Sequence, residues 1–284
     1  IVITNFDQQK SYETVPIAVG DTLLQELGDL EGVRQVQRYS TKPGMIMTDD
    51  NFLGIVLKGV SSEYNFDFLN RHMVEGEIPV FSDTVSSNLV LVSKTIADKL
   101  QVKTGERLYT YYIEGKNVRA RRLEIAGIYQ TNFTQYDDLF LITNIYTVNR
   151  LNAWEPQQVS GVELEVEDYN HLDEVYERVC GQVDMKTDAF GNTYYVQTVE
   201  ETNVQIFAWL DLLDMNVWVI LILMVGVAGF TMISGLLIII LERTNMIGIL
   251  KALGMRNKTI RHTFLWFAAF IIGRGLLMGD IIGI

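Results

Sequence analysis

Residues 217–241 read VWVILILMVGVAGFTMISGLLIIIL, 25 positions without a charge. At about 1.5 Å per residue this is roughly 37 Å of helix, enough to cross the hydrocarbon of a bilayer with some tilt. A buried core helix of that length is rarely apolar on every side, so the stretch reads as a transmembrane helix and organises everything around it. Gly226, Gly229, Thr231, Ser234 and Gly235 within it are small enough for another helix to approach closely, which fits a bundle; glycine is also simply common in spans.

Working outward, residues 242–261 carry Arg243, Lys251, Arg256, Lys258 and Arg261 against the single acid Glu242. A second apolar run, 264–284, follows and reads as the start of the next transmembrane helix, interrupted by Arg274 and Asp280. By the positive-inside rule, 242–261 faces the cytoplasm and everything before about 210 lies on the other side. Residues 1–241 hold 17 Lys and Arg against 33 Asp and Glu, within a chain of formal charge −12, and this acidic surplus argues against nucleic acid as a partner, because phosphate binding needs clustered cations. Arg274 falls about ten residues, roughly 15 Å, into the second span, where a lone charge is expensive. Asp280, six positions on, projects from the opposite side of the helix. A contact with another helix or snorkelling is favoured for Arg274 over a substrate role.

Cys180 is the single cysteine, so an intramolecular disulfide, a thiolate metal cluster and a CxxC redox motif are all excluded, and the thiol reads as structural. The opening Ile1-Val2-Ile3-Thr4-Asn5 is neither a signal peptide nor a natural start, and the last residues stop inside an apolar run, so an interior piece of a longer protein is expected.

Residues 1–210 read as an extracytoplasmic α+β domain, mostly antiparallel sheet with few helices. Asp21 or Thr22 is the expected cap of a helix reaching Leu30, with Leu23, Leu24 and Leu27 on one face. Residues 32–39 turn and then alternate, and Gly54 to Val60 reads as a strand. Ser93 is expected to cap a helix whose inner face is Ile96, Ala97 and Leu100. Residues 107–113 and 118–129 are expected to form a hairpin around Glu114, Gly115, Lys116 and Asn117. Asp168 or Asn170 opens a helix with Leu172, Val175, Tyr176 and Val179 inward, and Gly181 is its expected stop. His72, His171 and His262 are scattered, and HExxH, GxSxG and Walker A patterns are missing from the sequence. The adjacent acids Asp49-Asp50 and Asp137-Asp138 read as solvated turns. The chain is therefore expected to be non-catalytic, with no catalytic residue, no metal site and no cofactor of its own.

One segment is more specific. Glu242 to Met255, ERTNMIGILKALGM, directly after the first span, closely resembles the FtsX/MacB-like ABC transporter permease superfamily. Residues 27–33, Ser93 to Gly105, and Leu123 to Tyr129 agree with its lipoprotein-releasing and MacB-type members, LolC/LolE-type permeases being most similar. The resemblance implies an extracytoplasmic domain with a Porter-like part and a β-rich Sabre-like insertion at about 82–143, then the 217–241 transmembrane helix and a truncated FtsX-like permease domain. It implies that 242–261 holds a coupling helix that docks on a cytoplasmic ABC ATPase, which binds the ATP and Mg. The implied contact residues are Glu242, Arg243, Met246, Ile247, Gly248, Ile249, Leu250, Lys251, Leu253 and Gly254; at Met246 many relatives carry an acid. Composition alone also allows an amphipathic helix on the membrane surface.

The resemblance further implies a chaperone-binding hook at Tyr112, Ile113, Glu114, Gly115, Lys116, Asn117, Arg119, Arg121 and Arg122, whose tip lacks the proline of some hooks. The function it implies is mechanotransmission: ATP hydrolysis in the partner moves the spans and reshapes the extracytoplasmic domain, releasing lipoproteins from the bacterial inner membrane. A MacB-like efflux permease with a periplasmic adaptor and an FtsX-like regulator of cell-wall hydrolases remain open, as does a membrane receptor from another class. The implied partners are the ATPase, a second permease copy or paralogue, a periplasmic chaperone or adaptor, and membrane lipid. The implied place is the inner membrane, multi-pass, with the large domain in the periplasm.

Overall fold

The computed structural model describes residues 1–8, 11–47, 52–114 and 117–283. Asp49, Asp50, Gly115, Lys116 and Ile284 lie outside the described residues. In chain order the elements are β1 (Val2–Asn5), β2 (Ile17–Ala18), α1 (Asp21–Gly28), β3 (Val33–Met47), β4 (Phe52–Val60), α2 (Asp67–Arg71), β5 (Met73–Gly76), β6 (Leu89–Ser93) and α3 (Lys94–Leu100). They continue with β7 (Arg107–Glu114), β8 (Asn117–Tyr129), α4 (Thr134–Asp137), β9 (Phe140–Asn144), α5 (Ile145–Asn152), β10 (Gln158–Val159) and β11 (Gly161–Val166). After a 3-10 turn (Tyr169–His171) come α6 (Leu172–Val183), β12 (Tyr194–Gln197), α7 (Val199–Thr202), α8 (Val204–Glu242), α9 (Thr244–Ala252) and α10 (Asn257–Gly283).

Two compact units result, Ile1–Asn203 and Val204–Ile284. In the first, one sheet runs β12-β1-β11-β3-β4-β9-β6-β8-β5, with β7 pairing both β3 and β8, and β10 pairs β2 in a separate ladder. The sheet is mixed: β4 with β9 and β6 with β8 run parallel, while the other pairs are antiparallel. Strands brought together by helical crossovers can run parallel, which a hairpin cannot achieve.

Local signals set some of the element ends. The Ser93 hydroxyl accepts the Ile96 N–H at 3.1 Å, capping α3 as expected, and Ile96 and Ala97 are buried beneath it. Elsewhere tertiary contacts override them. Gly20, not Asp21 or Thr22, occupies the cap position of α1; Asp21 instead reaches Arg38 at 3.3 Å, and the helix ends at Gly28. Asp168 accepts the Asn170 N–H at 3.0 Å and caps the 3-10 turn, while α6 runs past Gly181 to the buried Val183. Asp137 is buried, not solvated: its carboxylate accepts the Thr131 hydroxyl at 2.7 Å and the Asn132 N–H at 3.0 Å. Asp138 pairs with Lys99 at 2.8 Å. Cys180 is a half-buried free thiol on α6.

Helices α1 and α6 cover one end of the sheet, where Ile3, Leu27, Val162, Val175 and Val179 pack together. Farther along, Leu57, Val92, Ile96, Leu123 and Val148 form a second apolar cluster, and Val60, Leu91, Phe81, Tyr129 and Ile142 a third. Lys58 lies among them, only 7% exposed. Its ammonium donates to Glu163 at 2.7 Å and sits 5.2 Å and 5.7 Å from the ring centroids of Tyr39 and Tyr64. Burial opposes the charge, but the facing Glu163 carboxylate together with Tyr136 and Tyr64 outweighs it and holds the Lys58 pKa well above its ordinary value.

The second unit is helical. The sequence boundary at 210 falls inside α8, which begins at Val204 and spans 39 residues, and α10 begins at Asn257, ahead of the apolar run read from 264. Both are long and apolar enough to cross a membrane.

Two predictions follow from these charges. Glu163→Gln leaves the Lys58 ammonium buried without its counter-charge and is expected to cost about 3 kcal/mol, whereas Lys58→Met with Glu163→Leu should cost much less. Thermal unfolding of the two variants checks this, and equal melting temperatures would refute it. Asp188 accepts N–H donors from Ala18 at 2.7 Å and from Phe190 and Asn192 at 2.8 Å. Burial raises its pKa, but these donors outweigh burial and hold it below the ordinary 3.8, so its stabilisation is present above that pH and fades as pH falls through the lowered value. Asp188→Asn should melt below wild type at pH 7, by a margin that shrinks under acid titration.

Candidate functional site

Helix α8 ends at Glu242 and α9 begins at Thr244, leaving Arg243 as a one-residue joint. Backbone bonds continue on either side of the joint: Arg243 N–H donates to Ile239 O and Ile247 N–H to Arg243 O, each at 3.1 Å. The Thr244 hydroxyl folds back to Leu241 O at 2.7 Å and satisfies a carbonyl that the end of α8 leaves free.

Along α9, Met246, Ile249 and Leu253 are 45%, 63% and 78% exposed, while Ile247 and Leu250 are half-buried. Spacings of three and four residues put Met246, Ile249 and Leu253 on one face, so the helix presents an apolar stripe with Lys251 exposed beside it. The end of α9 is fixed by its backbone. Gly254 adopts φ +84°, its N–H donates to Lys251 O, and the Met255 N–H donates to Leu250 O, both at 3.0 Å. This is a Schellman closure, and its left-handed residue is one that only glycine enters without steric cost. Glu242, Arg243, Gly248 and Gly254 are exposed around the stripe. The segment thus shows a short apolar face with Lys251 at its edge.

The β7–β8 hairpin belongs to the other unit. It zips from Arg107–Glu124 to Glu114–Asn117, and β7 also pairs with β3 through Met45–Tyr111 and Ile46–Thr110. Tyr112 is buried, not part of an exposed tip, because its ring fills the space left by the missing side chain of Gly44. Ile113, Val118, Arg119 and Arg122 are exposed and Arg121 is half-buried, while Gly115 and Lys116 at the expected tip lie outside the described residues. Arg274 on α10 stacks its guanidinium 5.7 Å from the Phe270 ring one turn earlier, which gives the charge a partner on its own helix. The sequence reading passed over Lys58, Glu163 and Arg38. A lone lysine inside the apolar strand Gly54 to Val60 is the signal that could have found the first of them.

The sequence comparisons fall on both units. Residues 218–284 match the FtsX-like permease C-terminal family. The lipoprotein-releasing system transmembrane protein LolE of Haemophilus influenzae is 22% identical over 202 residues, 69% of this chain and 46% of that protein. LolC of Neisseria meningitidis serogroup B is 20% identical over 271 residues, 92% of this chain and 63% of that protein. The chain therefore spans between about half and two thirds of the length of these curated relatives. Among solved structures, the extracellular domain of the noncanonic ABC-type transporter YknZ from Gram-positive bacteria aligns with a TM-score of 0.46 at 14% identity, covering 70% of this chain and 99% of that one. The periplasmic region of MacB from Actinobacillus actinomycetemcomitans aligns with a TM-score of 0.45 at 12% identity, covering 72% and 91%. The family match on its helical unit and the two lipoprotein-releasing relatives over most of its length together make the chain similar to FtsX-like permeases.

Proposed function

We propose that the chain is the permease subunit of a mechanotransmission ABC transporter that releases lipoproteins from the bacterial inner membrane. In this reading α9 is the coupling helix: its apolar stripe seats in a cytoplasmic ABC ATPase, which binds ATP and Mg, and Lys251 and Arg256 pair with acids on that partner. ATP-driven movement of the partner shifts the joint at Arg243 and the ends of α8 and α10, and the extracytoplasmic unit changes shape in response. Residues 82–143 act as the Sabre-like insertion, the β7–β8 hairpin engages a periplasmic chaperone, and a second permease copy or paralogue completes the bundle, with Arg274 facing a neighbouring helix.

The observation that supports this best is the stripe Met246, Ile249 and Leu253, exposed on a helix whose end is locked by Gly254. An apolar face held that firmly in a basic, cytoplasm-facing segment has the character of a docking surface for protein. The lipoprotein-releasing names of the two sequence relatives favour lipoprotein cargo over other substrates.

The full-length permease co-expressed with its ATPase provides the test. Gly248→Pro removes a helical N–H inside α9 and breaks it, so the ATPase should co-purify with wild type and be lost from a correctly inserted variant. Retention of the ATPase by that variant would end the coupling assignment. Gly254→Val forces a β-branched residue into the left-handed region at a cost of about 1–2 kcal/mol. It should speed amide exchange at positions 254 and 255 about tenfold or more, and unchanged exchange would show that the closure does not hold the helix.

A further inference from the structure

Helix α5 borders two adjoining clefts in the extracytoplasmic unit. The larger, a cavity of about 180 Å³, has an apolar and aromatic wall of Ile145, Tyr146, Trp154, Pro156 and Val159, with Arg38, Asp83 and Asn149 also lining it. The smaller is lined by Ser86, Asn88, Arg121 and Thr147, and Arg150 lines both. Arg38 is committed, donating to Glu63 at 2.8 Å and lying 3.5 Å from Asp83. Arg121 and Arg150 differ: among the described residues neither has an acid within ion-pair distance. Two arginines left without carboxylates and converging on one cleft are unusual in a unit so rich in acids.

The remaining lining of the smaller cleft consists of hydrogen-bonding groups. The Thr147 hydroxyl donates to Ser87 O at 2.8 Å, and the Ser86 hydroxyl stands 3.3 Å from it, a long contact that it can exchange for an incoming acceptor. The Asn88 amide adds two more donors. A single guanidinium satisfies a planar carboxylate, but two guanidiniums with a hydroxyl and an amide on further sides match an anion whose oxygens point in several directions.

The geometry points to a binding site for a phosphoester, its phosphate held between Arg121 and Arg150 and its organic group lying against Tyr146 and Trp154 in the adjoining cavity. Arg121 comes from β8 and Arg150 from α5, so an occupant ties the middle of the β7–β8 hairpin, where Arg121 faces Thr110, to the helix packed on β3 and β4. The phosphate is either a lipid headgroup or part of a soluble ester, and the two sources are separable.

The test uses the full chain in phosphatidylcholine nanodiscs, titrated calorimetrically with phenyl phosphate and with inorganic phosphate. Phenyl phosphate should bind saturably and more tightly than inorganic phosphate, Arg121→Gln and Arg150→Gln should each weaken it about tenfold, and Trp154→Ala should narrow the gap between the two probes. If nanodiscs containing phosphatidic acid compete with phenyl phosphate, the headgroup is the source; if phenyl phosphate binds unaffected, a soluble ester is. Absence of saturable binding by phenyl phosphate and phosphatidic acid alike overturns the site. So does unchanged affinity in both arginine variants at wild-type melting temperature, with Arg121→Lys and Arg150→Lys read the same way should the glutamine variants fail to fold.

Discussion

An ammonium and a carboxylate 2.7 Å apart meet across a strand that carries neither of them. Lys58 stands on β4 and Glu163 on β11, and each strand pairs with β3, opposite Thr41 and Gln37. A one-residue slip of either outer strand would turn its charge to the other face, where Leu57 and Val162 now pack. The slipped charge would be buried without a partner, which costs far more than a misplaced methyl group. The apolar clusters supply most of the energy of the fold, while the ion pair discriminates among ways of arranging them. Arg38, on the other face of β3, reaches Glu63, Asp21 and Asp83 and pins the adjoining loops.

The helical unit obeys a different rule. Among its described residues only Ile260 is buried, so packing inside the chain does not account for its stability. Helices suit a hydrocarbon environment because every interior backbone donor and acceptor is satisfied within the segment. The same exposure on α9 has another meaning, since that helix is too short to span and sits among cations.

These differences explain what could be read from sequence. Residues 217–241 declare themselves by the absence of charge, a property independent of any distant contact. The Ser93 cap and the β7–β8 hairpin were legible for the same reason, because their partners lie a few positions away. The parallel β4–β9 and β6–β8 pairs were not, since nothing local distinguishes a strand that will pair after a crossover. Gly181 has the chemistry of a helix stop, yet burial of Val183 carries α6 onward. Asp137 and Tyr112 likewise look solvent-facing in sequence and are withdrawn from it by donors and by space that only the fold provides. The 242–255 segment was legible as a motif, whereas its one-residue joint and Schellman closure emerged only from backbone geometry.

Helix α8 is longer than crossing a bilayer demands. Its 39 residues rise about 58 Å against a hydrocarbon thickness near 30 Å, and Val204 to Asn216, with Asp211 and Asp214, account for roughly 20 Å before the uncharged run begins. A continuous hydrogen-bonded rod of that length is a lever. A ten-degree tilt about one end carries the other through about 10 Å, so the length of the rod magnifies any small change of angle at the Arg243 joint.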